Sequence, residues 1–302
     1  MSRFALVSCL VLGAAAVAAG CSDQGDPFAN VGDASIGAHH DAAAPPTDAT
    51  TPPTPDAGGD PTLRCTPVPT RVAVLGDSIT DCTVVGGPNS ANCVSKKVFD
   101  YVKGNYAPNA AYLNVAVGGA QTAALEQQIQ DVPGGPGHVL VLVYMGGNDL
   151  SPYIFQSDQA AKDAYDRILP GIVQNWLDMF AYFEDRTRFP DGVTVIMNNQ
   201  YNPFDDCTAR PYFLSAVKIN LLHMFNQVLR DIANQKFQDT IIIDQFTPFL
   251  GHGHHYNVDT CPYYQPGMEG YMADLIHANP KGNVLLAEQI YKGVDQLYKD
   301  CP

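Results

Sequence analysis

Basic residues are scarce in this chain of 302 residues: 17 Lys and Arg stand against 31 Asp and Glu, for a net charge of −14. A partner held through a phosphate backbone needs a basic footprint, so nucleic acid is excluded, and strongly anionic substrates and anionic lipid surfaces are repelled. Phosphate-binding loops are missing as well. Neither Gly-Lys-Ser/Thr nor Gly-x-Gly-x-x-Gly follows the first apolar run of the main domain, which argues against a nucleotide or flavin site. No internal repeat is present. What is there, 46% hydrophobic and 16% charged residues, excludes fibrous, collagen-like and wholly disordered classes and suits one or two globular domains.

The N-terminus has one basic residue, Arg3, and then an Ala-rich apolar run from Phe4 to Gly20. Such a run is at the lower limit for crossing a bilayer core, so residues 1–20 are expected to be an export signal and not a span. Ala18-Ala19-Gly20-Cys21 resembles the bacterial lipoprotein signal, with Ala18 where Leu is commonest. The resemblance implies a lipid on Cys21 after cleavage, export to the bacterial cell envelope, and membrane attachment through that lipid; the alternative is a secreted protein with Cys21 free. Residues 22–63 contain no Lys or Arg, carry seven Asp, and are rich in Pro, Ala, Thr and Gly. They bury too little apolar surface to offset chain entropy, so residues 21–63 are expected to be a lipidated cysteine with a disordered tether. The functional unit is then residues 64–302, expected to be monomeric.

Of eight cysteines, Cys9 leaves with the signal and Cys21 takes the lipid, so six remain to pair in an oxidising compartment. Among the possible connectivities the preferred set is Cys82 with Cys93, Cys65 with Cys301, and Cys207 with Cys261.

From Arg71 onward short apolar runs alternate with longer amphipathic ones. Val72–Leu75, Tyr112–Val117, Val139–Tyr144, Val193–Met197 and Thr240–Ile243 read as strands. Val94–Tyr106, Thr122–Gln130, Asp158–Phe183 and Phe213–Ile232 read as helices, the third bent or divided at Pro170-Gly171. A final helix opens with Asn279 as cap and Pro280 at its first position. This alternation demands right-handed crossovers, and the expected fold is a three-layer α/β/α sandwich on a five-stranded parallel sheet. Ligands in such sheets sit beyond the C-terminal strand ends, so those loops are the place to look for chemistry.

Four segments there carry reactive or donor groups. Gly76-Asp77-Ser78-Ile79-Thr80 places a serine at a strand-to-helix turn, where both its hydroxyl and its N–H can face a ligand; Asp-Ser is also ordinary capping chemistry. Asn114-Val115-Ala116-Val117-Gly118-Gly119-Ala120 has two glycines that free the backbone for close approach, or simply open a helix. Gly146-Gly147-Asn148-Asp149 offers a neutral amide donor for a developing oxyanion. Asp274-Leu275-Ile276-His277 puts a carboxylate three residues from an imidazole, close enough for one turn to orient the ring.

The order and placement of these segments resemble the SGNH hydrolase family, also called GDSL esterases and lipases, from about Arg71 to Tyr291. The resemblance covers Ser78, Gly119, Asn148 and His277, with Gly119 matched through the Asn-x-Ala-x-x-Gly-Ala pattern, and Ala278 where the family often has Pro. It implies a flavodoxin-like fold and a serine esterase. In that reading Ser78 is the nucleophile, His277 the general base, Asp274 its orienting partner, and Ser78, Gly119 and Asn148 the oxyanion donors. No metal and no other cofactor are needed. The family spans lipases, lysophospholipases and carbohydrate esterases. Because no long apolar insertion resembles a lipase lid, short-chain or soluble esters are the expected substrates.

Gly251-His252-Gly253-His254-His255 is read as a mobile loop bordering the cleft, since alternating His and Gly lacks the spacing of firm zinc motifs. Tyr201 is a candidate substrate-binding residue, Tyr263 and Tyr264 are possible walls, and His223 sits on an amphipathic helix face. A rival of another class is a lipid-anchored glycan-binding module that keeps the fold without hydrolysis, but such a module would not require Ser, Asn, Asp and His together.

Overall fold

A computed structural model describes residues 65–210, 214–236 and 239–301. The expected signal, Cys21 and the tether lie outside these residues. The strands are β1 (Arg71–Gly76), β2 (Ala111–Asn114), β3 (Val139–Tyr144), β4 (Val193–Asn198) and β5 (Thr240–Ile243), all parallel in the order β2-β1-β3-β4-β5. The helices are α1 (Ser78–Asp81), α2 (Val94–Asn105), α3 (Leu125–Gln130), α4 (Gly147–Leu150), α5 (Asp158–Glu184), α6 (Ala216–Lys236), α7 (Phe246–Phe249) and α8 (Pro280–Tyr298).

The period-2 alternation of the strands divides the core in two. Val72, Val74, Leu140, Leu142 and Ile196 join Val98 and Val102 of α2 and Leu286, Ile290 and Val294 of α8. Ala73, Leu75, Val141, Val143, Val195 and Met197 join α3, α5 and α6 through Leu125, Ile129, Trp176, Phe180, Phe225 and Leu229. Every residue of β3 and β4 is buried, as continuous apolar strands covered by helices on both faces must be. These layers are the expected α/β/α sandwich.

The structure differs from the sequence reading at three elements. Helix α5 continues through Pro170, so the helix is not divided there. Asp166, whose carbonyl the proline leaves without a helical donor, is an exposed residue, as are Pro170 and Gly171, while Ile172, Trp176 and Phe180 hold the helix to the sheet. Strand β2 ends at Asn114, whose Oδ1 accepts from the Ala116 N–H and turns the chain before Val117. Helix α6 starts at Ala216, where the Ser215 hydroxyl accepts from the Lys218 N–H as a cap. The last helix opens as read: Asn279 Oδ1 accepts from Lys281 and Gly282, and Pro280 needs no partner at the first position.

Three disulfides staple the domain: Cys65–Cys301 near its two ends, Cys82–Cys93 between α1 and α2, and Cys207–Cys261 between the loops after β4 and after α7. The strand order reverses between β1 and β3, and at such a switch point the loops leaving the two strands splay apart into a crevice. Ser78 follows β1 and Asn148 follows β3.

Candidate active site

The turn that carries Ser78 is built by its neighbours. Gly76 has φ +138°, and a Cβ there would strike the Tyr144 carbonyl and the Thr80 hydroxyl, so only glycine lets β1 turn this closely. Its peptide is held on both sides by Gln128, which accepts from the Gly76 N–H and donates to the Gly76 carbonyl, each at 2.8 Å. Asp77 caps α1 by accepting from the Ile79 N–H at 3.0 Å. Burial pushes the Asp77 carboxyl up from its ordinary 3.8 to about 7, against the opposing pull of that N–H, with nearby Asp149 adding to the rise.

From the other end of the domain comes the turn before α8. His277 Nε2 lies 2.8 Å from Ser78 Oγ, across 199 residues of chain. Its Nδ1 lies 2.9 and 2.8 Å from the two carboxylate oxygens of Asp274. Asp274 Oδ1 also accepts from the backbone N–H groups of Ile276 and His277, at 3.0 and 2.9 Å. Partial burial pushes the Asp274 carboxyl up, but the two backbone donors and the imidazole outweigh it, leaving the carboxyl below its ordinary range. A carboxylate so held fixes the ring with Nε2 toward Ser78, which is the geometry that lets an imidazole take a proton from a hydroxyl.

The donor loops stand alongside. Asn148 shares a cleft with Ser78, and its Nδ2 donates to the Ala120 carbonyl at 3.0 Å, using one of the two N–H groups of the amide. Gln121 returns a bond to the Asn148 carbonyl at 3.1 Å, and Asp149 accepts from the Thr122 N–H and hydroxyl at 2.9 and 2.8 Å. The loops after β2 and β3 are thereby locked together. Gly119 lies on this loop, exposed, at φ +80°, with open space beside its Cα. Among the described residues, the backbone N–H groups of Ser78 and Gly119 make no hydrogen bond.

Tyr201 lines the cleft but is 6% exposed, and its hydroxyl donates to the Ile276 carbonyl. The His-rich segment is tied down and not loose. Asp205 accepts from the N–H groups of Gly251, Gly253 and His255 at 2.9, 2.7 and 2.9 Å, so the loop wraps a buried carboxylate. Burial pushes this carboxyl above its ordinary range, with the three donors opposing. His254 Nε2 then reaches the Leu275 carbonyl at 3.1 Å, bracing the Asp274–His277 turn from a second side. Cys207, His255 and Cys261 cluster, but the disulfide consumes both thiols, and the His255 nitrogens lie 2.9 and 3.0 Å from the Phe204 and Ala209 carbonyls. His223 is half-exposed and pairs with Asp206 at 2.8 Å. Tyr263 and Tyr264 are not among the cleft's lining residues.

Gln128, Asp149, Asp205 and His254 are the supporting residues that the sequence reading did not single out for these roles. Asp149 adjoins Asn148 and was open to inspection; Gln128 and Asp205 bond to groups 52 and 46 to 50 residues away, a relation that spacing does not reveal.

The family model for GDSL-like lipase/acylhydrolases matches residues 72–290, and the chain belongs to this family of ester-bond hydrolases. Among solved structures, a lipase from a goat rumen metagenome is 18% identical, with 74% of this chain and 96% of that one aligned at a TM-score of 0.51. An extracellular lipase from Streptomyces rimosus is 16% identical, with 74% and 99% aligned at a TM-score of 0.50. At these identities the likeness shows a shared fold, that of the SGNH hydrolases. No curated protein sequence matches.

Proposed function

We propose that this hydrolase cleaves carboxylic esters through a Ser78–His277–Asp274 triad and an acyl-enzyme. The observation that carries the reading is the 2.8 Å approach of His277 Nε2 to Ser78 Oγ, with Asp274 on the opposite ring nitrogen. A serine hydroxyl is a weak nucleophile at its free pKa. As Oγ bonds to the ester carbonyl carbon, its proton passes to His277 Nε2. The carbonyl electrons move onto oxygen, where the N–H groups of Ser78 and Gly119 and the second N–H of Asn148 are the donors assigned to receive them. Collapse of the tetrahedral species breaks the bond to the alcohol oxygen, which takes the proton from His277. Water then attacks the acyl-enzyme by the same exchange, releasing the acid and restoring Ser78.

Ser78→Ala removes one hydroxyl and should lower turnover of a nitrophenyl ester by several orders of magnitude while the thermal transition stays near wild type. Retention of more than about a tenth of the wild-type rate would overturn Ser78 as nucleophile. From the sequence we also propose attachment to the cell envelope through a lipid on Cys21. Cys21→Ser should then release the protein from membrane fractions, and continued membrane retention would refute the anchor.

A further inference from the structure

If the proposed chemistry holds, it dictates where the two halves of an ester can lie. His277 returns its proton to the leaving alcohol, so the alcohol oxygen must stand beside His277 Nε2 and the acyl chain must leave the carbonyl carbon in another direction. Two hollows adjoin Ser78. The smaller, about 210 Å³ including its open mouth, has His277 in its lining together with Val84, Val85 and Asn283. The larger is about 930 Å³ including its open mouth and lacks His277, but has Ser78 and Asn148 in its lining.

Polar side chains of Asp77, Ser78, Asn148, Ser151, Gln200 and Asn202 join the lining of the larger cleft, but most of the surface that it exposes is apolar. Leu150 ends α4, Ile154 follows in the next turn, Ala161 and Tyr165 come from α5, and Leu221 and Leu222 from α6. Ala161 and Tyr165 are one helical turn apart on one face, which extends the wall by about 6 Å along α5. Lys218 is the one cationic side chain in the lining, and its ammonium lies 3.8 Å from Asp158, which offsets its charge. An acetyl group would leave most of this surface wet.

We infer that the cleft is an acyl-binding slot and that the preferred substrates are esters of medium-chain fatty acids, about six to ten carbons, with small alcohols. That the sequence holds no long apolar insertion therefore does not fix a short acyl chain. The slot is made by side chains of α4, α5, α6 and the turn between α4 and α5, and it needs no insertion to form it.

The test is kcat/KM for nitrophenyl esters from acetate to dodecanoate, each held below its aggregation limit, with ethyl octanoate and octyl acetate as a matched pair. A slot that takes methylenes out of water should raise kcat/KM about threefold per methylene up to about eight carbons. Ethyl octanoate should be cleaved at least about tenfold faster than octyl acetate, and Ala161→Phe should lower the octanoate-to-acetate ratio about tenfold. Leu222→Ala, which opens the wall instead of filling it, should lower that ratio several-fold and serves if Ala161→Phe fails to fold. A preference for acetate, or for octyl acetate over its isomer, would overturn the slot while leaving the triad standing. Calorimetric binding of nitrophenyl octanoate to Ser78→Ala separates the two ideas from the other side. Binding of octanoate tighter than acetate supports the slot even if the triad fails, and equal binding refutes it.

Discussion

The hydroxyl of Tyr201 donates to the carbonyl oxygen of Ile276, the residue immediately before His277. Tyr201 is itself stacked on Phe249, with ring centroids 4.3 Å apart, and its backbone N–H donates to the Tyr144 hydroxyl, so the ring is held in place. The turn bearing the imidazole is thus braced from the end of β4, not only by its own Asp274. Tyr201→Phe keeps the ring packing and removes the brace. Its kcat should fall about ten- to a hundredfold with KM within about twofold, since a displaced base misaligns the reacting atoms without altering ground-state binding. A rise in KM at unchanged kcat would instead make Tyr201 a substrate contact.

Asp205 supports the same turn at one remove, through the loop that presents His254 to Leu275. Asp205→Ala would leave three buried backbone donors without an acceptor. The cost should be about 3 kcal/mol or more in urea denaturation, well above a surface substitution. A loss below about 1 kcal/mol would show that water replaces the carboxylate.

Asn148→Ala should lower kcat by about 10² to 10³ with little change in KM, as expected for a donor that meets charge only in the transition state. Stability should drop by about 1 kcal/mol for the lost bond to Ala120. An unchanged kcat would remove Asn148 from the oxyanion site.

The buried carboxyl of Asp77 makes a pH prediction whose sign is opposite to that of a paired carboxylate. With its pKa raised from 3.8 to about 7, the folded state keeps a proton that the unfolded state releases between those values. Stability contributed by this group is therefore greatest below about pH 4 and falls as pH rises toward about pH 7. Asp77→Asn keeps an acceptor for the Ile79 N–H and cannot ionise. The Tm of the variant relative to wild type should rise by several degrees between pH 4.5 and pH 8. A difference that stays flat over that range would show that Asp77 is not the group responsible.

Much of the fold was readable because burial leaves a period. β3 and β4 are buried at every position and contain few polar residues, so nothing obscured them. The reading failed where a local rule was overruled by surroundings that spacing does not report. Pro170 signals a bend or a division, yet its exposed setting and the packed flank of α5 keep the helix from dividing. Asn114 stops β2 early with a side-chain bond of its own. The His-rich segment looked loose because its anchor, Asp205, sits some fifty residues away in another loop.

Local chemistry, written in the sequence, determined the parts: a serine at a strand-to-helix turn, an aspartate and a histidine three residues apart, an amide after a third apolar strand. Each of these depends only on neighbours along the chain. Tertiary structure alone decided that His277 reaches Ser78 across 199 residues, that Gln128, Asp205 and Tyr201 hold the turns in place, and that α4, α5 and α6 leave an apolar cleft beside the serine. The physical reason is that hydrogen bonds and hollows belong to surfaces brought together by packing, and the periodicity that reports burial does not record which surfaces meet.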